Sequence, residues 1–169
     1  MEYYKLRFEE SNENYYFEVD DERTVLRQVI EDEERWVVSC RPDEELHFCL
    51  FDQVFDQSME DAEGRDVTAE QFEDVWAAAT QRYRKSWERT KQRFAPGDQV
   101  SGIVEVFYPQ GTILSLPSDA YGILADRECN GSVTVAGRAP GYMLKAYVIG
   151  WDEINMWLKL SCMKPHAMK

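Results

Sequence analysis

The chain has 169 residues, enough for one ordinary domain or two small ones, and 44% hydrophobic with 13% aromatic residues supports a packed core and excludes wholesale disorder. Its formal net charge of −13 is lopsided: residues 1–94 carry 13 Lys+Arg against 25 Asp+Glu, a net −12, whereas residues 95–169 carry 6 against 7, a net −1. The first half repels a phosphate backbone and the second does not, which excludes the uniformly basic type of nucleic-acid binder.

The opening MEYYKLRFEE is charged and has no apolar h-region, so no secretory signal is expected. No apolar run reaches the roughly 18 residues of a membrane span, and a cytoplasmic protein is expected. Residues 2–10 (EYYKLRFEE) and 15–20 (YYFEVD) alternate aromatic or aliphatic with charged positions across the polar turn SNEN, which predicts a hairpin. TVLRQVI (24–30) and RWVVSC (35–40) repeat the pattern, and LHFCLF (46–51) predicts a further short strand. Residues 52–67 are acidic and irregular, and read as a surface loop.

Thr68 followed by Gln71 predicts a capping box opening a helix over 68–94. Phe72, Trp76, Ala79, Tyr83 and Trp87 recur at spacings of three and four to form one apolar stripe. Arg82, Arg84, Lys85, Arg89, Lys91 and Arg93 crowd its far end, and Ala95-Pro96-Gly97 stops it. The basic end complements the helix dipole, and it is also the chain's one strongly basic segment.

Cys40, Cys49, Cys129 and Cys162 contain no C-x-x-C pair, and with only His47 and His166 no zinc-finger spacing can be built. They are expected to be reduced, mostly buried thiols. His47 and Cys49 on one strand face have no third partner to orient the imidazole, so a structural role is expected for both. Neither G-x-x-x-x-G-K-[ST] nor G-x-G-x-x-G occurs, and the acidic runs single out no carboxylate pair. The sequence predicts no catalysis, no metal and no cofactor.

From Pro96 the texture changes. GDQVSGIVEVF (97–107), GTILSLP (111–117), YGILAD (121–126), YMLKAYVI (142–149) and MWLKLS (156–161) are five short strand-like runs with small turns, which predicts a compact barrel. Gly97, Val100, Gly102 and Val104, then Gly111, Ile113 and Leu114, then Gly122, Ile123 and Leu124 follow one another in order. Gly141, Leu144, Ala146, Val148, Ile149 and Asp152 come next, with Leu158, Leu160 and Ser161 closing the series. In this order residues 96–163 resemble the S1 family of RNA-binding domains. That resemblance implies an OB-type barrel holding single strands on one face by two aromatics, a histidine and an arginine. Those positions fall here on Gln110 and Ile113, on Ala125 and on Trp157.

The expected fold class is therefore α+β. An acidic N-terminal domain of residues 1–94 (an antiparallel meander with one long helix) precedes a five-stranded S1-like barrel over 96–163 and a tail, 164–169. The candidate nucleic-acid-binding residues are Tyr108, Tyr121, Arg127, Lys145, Trp157 and Lys159 on the barrel, with Arg82, Arg89 and Arg93 on the helix. The expected partner is single-stranded RNA or a ribosome-like assembly. The alternative is an acidic protein-interaction module (adaptor, inhibitor or nucleic-acid mimic) whose barrel has lost RNA binding and whose residues 1–94 take a basic protein. No membrane partner is expected.

Overall fold

The structure is a computed structural model that describes residues 1–33, 35–56, 58, 62–129 and 139–166. The chain forms two compact units, Met1–Arg82 and Tyr83–Lys169. The fold class is mixed α+β: an antiparallel sheet with a long helical segment, then a closed five-stranded β-barrel.

The first unit is built on β1 (Glu2–Phe8), β2 (Glu13–Val19), β3 (Val25–Glu31), β4 (Trp36–Val38) and β5 (Ala62–Asp66), in the sheet order β4-β3-β2-β1-β5. Alternation along β1 sends Tyr4 and Leu6 to one face, where they join Phe17, Val19, Val25 and Phe55 in the core. Helix α1 (Ala69–Thr80) packs on the other face, with Tyr3 and Phe72 ring centroids 5.2 Å apart. Arg27 fixes α1 to the sheet. Its Nε donates to Glu18 at 2.6 Å, its Nη1 to Glu73 at 3.1 Å, and its guanidinium lies 5.0 Å from the centre of Trp76. Burial opposes the Arg27 charge, but the hydrogen bonds to Glu18 and Glu73 outweigh it and hold the pKa above the ordinary arginine value.

Three sequence expectations are corrected in this unit. Residues 46–51 form no strand. His47 sits at φ 54° in a turn bridged to Asp43, so it shares no strand face with Cys49. The acidic stretch 52–67, of which residue 57 and residues 59–61 lie outside the described residues, is not wholly a loop: it supplies the edge strand β5, and Phe55 is buried in the core. An edge strand needs only backbone partners on one side, so AEGRD pairs without the alternation that marks a central strand.

The capping box at Thr68 is present, its Oγ1 accepting from the Gln71 N–H while Gln71 Oε1 accepts from the Thr68 N–H. The helix is not continuous to 94. A 3-10 turn, Gln81–Tyr83, separates α1 from α2 (Arg84–Arg93), and the two compact units divide at Arg82/Tyr83. Thr80, whose hydroxyl bonds back to the Trp76 carbonyl at 2.7 Å, precedes the turn, and such back-bonding bends helices.

In the second unit β6 (Gln99–Tyr108), β7 (Gly111–Leu116), β8 (Ala120–Leu124), β9 (Met143–Asp152) and β10 (Trp157–Ser161) close into a barrel in the order β6-β7-β8-β10-β9 and back to β6. Only the β8–β10 pair is parallel. This is an OB-like arrangement. Val104, Leu114, Leu124, Val148, Leu158 and Leu160 fill the interior at every second position. Irregularities at Val104/Val106 and Lys159/Leu160 bend the strands for closure. Two motif glycines are sterically required. A Cβ on Gly122 would lie 2.6 Å from Leu160 Cδ1, and Gly111, at φ 146°, would place one 2.6 Å from the Leu124 carbonyl oxygen.

Cys129 and Cys162 are joined by a disulfide with their Cα atoms 4.9 Å apart, so the expectation of four reduced thiols is corrected; Cys40 and Cys49 take no part in it. The two positions are 33 residues apart in sequence and meet only because β10 runs parallel beside β8, a pairing no local pattern encodes. Among the described residues no helix is long and apolar enough to cross a membrane.

Candidate nucleic-acid interface

Helix α2 is the cationic element of the second unit. RKSWERTKQR is rich in good helix formers, and Lys91 and Arg93 in its last turn complement the dipole. Trp87 and Thr90 are its buried positions. Trp87 Nε1 donates to Glu153 Oε2 at 2.8 Å, and Lys91 Nζ donates to Glu153 Oε1 at 3.0 Å. The Trp87 hydrogen bond foremost, helped by Lys91, holds the Glu153 carboxyl below its usual value. Arg93 donates to the Ser118 hydroxyl in the β7–β8 turn. The helix packs on β8 and is thus pinned to two turns of its own barrel, β9–β10 at one point and β7–β8 at another.

Arg89 and Arg93, one helical turn apart, line a cavity of about 370 Å³ together with Ser86, Thr90, Phe94, Ser118 and Asp119. Ser118 and Asp119 adopt φ of 66° and 55°, which turns the chain tightly beneath the arginines. Two guanidinium forks and three hydroxyls around one concavity suit an oxyanion such as a backbone phosphate, while Asp119 adds a negative charge at the rim. The unit's charge agrees. Residues 83–169 carry 11 Lys+Arg against 8 Asp+Glu, a net +3, whereas residues 1–82 carry 8 against 24, a net −16.

The other candidates are placed differently. Tyr108 and Trp157 face each other with ring centroids 6.3 Å apart and are buried, Trp157 at 1% exposure. Ile113, on one of the positions where the S1 family carries an aromatic, is also fully buried. Buried as they are, Tyr108 and Trp157 present no open ring face to a base. Tyr121 is half-buried on β8. Arg127 is exposed in the 3-10 turn Asp126–Glu128, with Nε 3.5 Å from Glu128. Lys145 on β9 lies opposite Ser101, and Lys159 on β10 opposite Gly150, both exposed. Arg82 belongs to the first unit, where its Nη2 donates to the Trp36 carbonyl at 3.0 Å.

Sequence reasoning overlooked Ser118 and Asp119, although the polar pair in LPSDA is a turn signal beside the predicted barrel strands. The candidate residues also leave out the rings that stand open. Phe107, Tyr142 and Trp151 are exposed on the barrel unit.

No protein-family model and no curated protein matches this chain. Among solved structures, it is similar to a multidomain protein with nucleic acid binding domains from Streptococcus pneumoniae TIGR4. The two are 17% identical, with 99% of this chain and 52% of that one aligned and a TM-score of 0.35. The chain spans about half the length of that protein. The OB-like arrangement rests on the strand pairing of the barrel.

Proposed function

We propose that this chain is a non-enzymatic accessory protein that binds single-stranded RNA, or an RNA-containing assembly such as the ribosome, through its barrel unit. The observation that carries the reading is the Arg89–Arg93 cavity beside an OB-like barrel on a unit of net charge +3. The S1 resemblance of residues 96–163 supports it. In this reading α2 grips phosphates, which position a strand without reading its sequence, and Phe107, Tyr142 and Trp151 supply open rings for stacking. Tyr108 and Trp157 become structural. RNA affinity measured at two salt concentrations tests the reading. Micromolar or tighter binding that weakens with salt supports it, and no binding at low salt ends it.

A second reading is favoured by the burial of Tyr108, Ile113 and Trp157: an acidic protein-interaction module in which the barrel has lost RNA binding. Its partner would be a basic protein attracted by the −16 unit. Capture of one defined partner that survives nuclease treatment supports it, and loss of every partner after nuclease counts against it.

A further inference from the structure

The acidic first unit contains a cationic feature that the barrel reading leaves unused. Register places Lys5 of β1 directly opposite Arg65 of β5, and Arg7 opposite Glu63. Alternation along β1 puts Lys5 and Arg7 on the face opposite to the core residues Tyr4 and Leu6. Helix α1 covers part of that face, where Tyr3 meets Phe72. Farther along β1, the side chains of Lys5, Arg7, Glu63 and Arg65 instead line, with Gly64, a cavity of about 210 Å³. The Lys5 ammonium is 5.2 Å from the centre of the Tyr16 ring, and Arg7 Nη2 donates to Asn12 Oδ1 at 3.3 Å.

The arrangement is electrostatically unfavourable as it stands. Like charges directly opposite on neighbouring strands destabilise a sheet, since their Cβ atoms are only about 4.5–5.5 Å apart. Residues 1–82 offer 24 carboxylates, and other cations there use them: Arg23 pairs with Glu2, Arg27 with Glu18 and Glu73, and Arg35 with Asp32, Asp43 and Glu45. Lys5, Arg7 and Arg65 form no ion pair with any described residue. Burial, and then the charge of Arg65, push the Lys5 ammonium below its ordinary pKa.

We infer that this cavity is an anion site that takes a phosphate group. Three cations against one carboxylate in the lining leave an excess of positive charge, with Glu31 of β3 acting on Lys5 from beside it. A phosphate group presents its oxygens at tetrahedral angles to cations on two strands, which a planar carboxylate does not. The forked guanidiniums of Arg7 and Arg65 fit tetrahedral oxyanion edges, and Lys5 supplies a point charge beside them. The phosphate comes either from a free phosphomonoester or from a polynucleotide. The site lies in the first unit and is independent of the Arg89–Arg93 cavity.

The test is a titration of the full chain with inorganic phosphate, then uridine monophosphate, then oligouridylate, followed by NMR of the arginine Nε–H groups. Saturable shifts at Arg7 and Arg65 are expected with inorganic phosphate, with a Kd weakened about tenfold in K5Q and in R65Q and unchanged in R89A/R93A. Tighter binding of oligouridylate than of the monophosphate identifies a polynucleotide as the source; equal or weaker binding identifies a small phosphorylated molecule. Absence of saturation in the wild-type chain, or an undiminished response in R65Q, overturns the site. Melting without ligand provides a second check. Because R65Q relieves repulsion, its Tm is expected to equal or exceed that of the wild type, and a lowered Tm overturns the inference.

Discussion

The two units solve the same problem, burying a β-sheet, with opposite electrostatics. The first carries a net −16 and stitches its surface with ion pairs, of which the Arg27 cluster is the most buried. The second carries a net +3, has an apolar interior closed on itself, and leaves most of the cations on α2 facing outward. In the first unit charge mainly holds the structure together. In the second, Arg84, Lys85, Arg89 and Arg93 stay exposed on α2.

Substitutions at matched positions sharpen that contrast. The largest effect is expected in the acidic unit: Arg27→Ala leaves Glu18, whose side chain is 12% exposed, without its cation and should cost about 3–5 kcal/mol in urea unfolding. A cost below about 1 kcal/mol would break the claim that ion pairing is structural there. In the barrel unit the comparable constraint is covalent. Cys129→Ser with Cys162→Ser releases a closed loop spanning 33 residues, and a loss of about 3–4 kcal/mol is expected by the same measurement.

The outward arginines should behave in the opposite way. Arg89→Ala with Arg93→Ala is expected to cost no more than about 1 kcal/mol, the worth of the exposed Arg93–Ser118 hydrogen bond. The same pair should lower the slope of log K against log salt for single-stranded RNA by about 1.4. A large stability loss without a change in slope would make these arginines structural like Arg27.

The smallest effect concerns Glu153. Its folded pKa is held below the usual 4.5, so its contribution to stability is present above pH 4.5 and is lost as pH falls through the lowered value. The carboxylate is 55% exposed, which limits the contribution to less than about 1 kcal/mol. Glu153→Gln should therefore flatten the fall in barrel stability between neutral and acidic pH. An unchanged acid limb would remove Glu153 as the anchor of Trp87 and Lys91.

Much of this architecture is legible in the chain. Alternation marks β1, β6 and β9; the Thr68–Gln71 box marks the start of α1; and the spaced glycines at 102, 111 and 122 mark where barrel strands approach closely. The acidic stretch hid β5, because an edge strand of AEGRD lacks an apolar face. The stripe from Phe72 to Trp87 concealed a break, because Phe72 and Trp76 bury in one unit and Trp87 in the other while keeping a single helical spacing. The candidate site was half legible: the run of arginines stood out, but nothing local marked Ser118 as their companion or Trp157 as buried.

Sequence alone determined most of the secondary structure and the charge asymmetry, since periodicity, capping and composition act over a few residues. Only the tertiary structure decided which cations share a cavity, which cysteines meet, and that Lys5 stands opposite Arg65. Those outcomes depend on the register between strands distant in the chain, which is set by the packing of the whole unit.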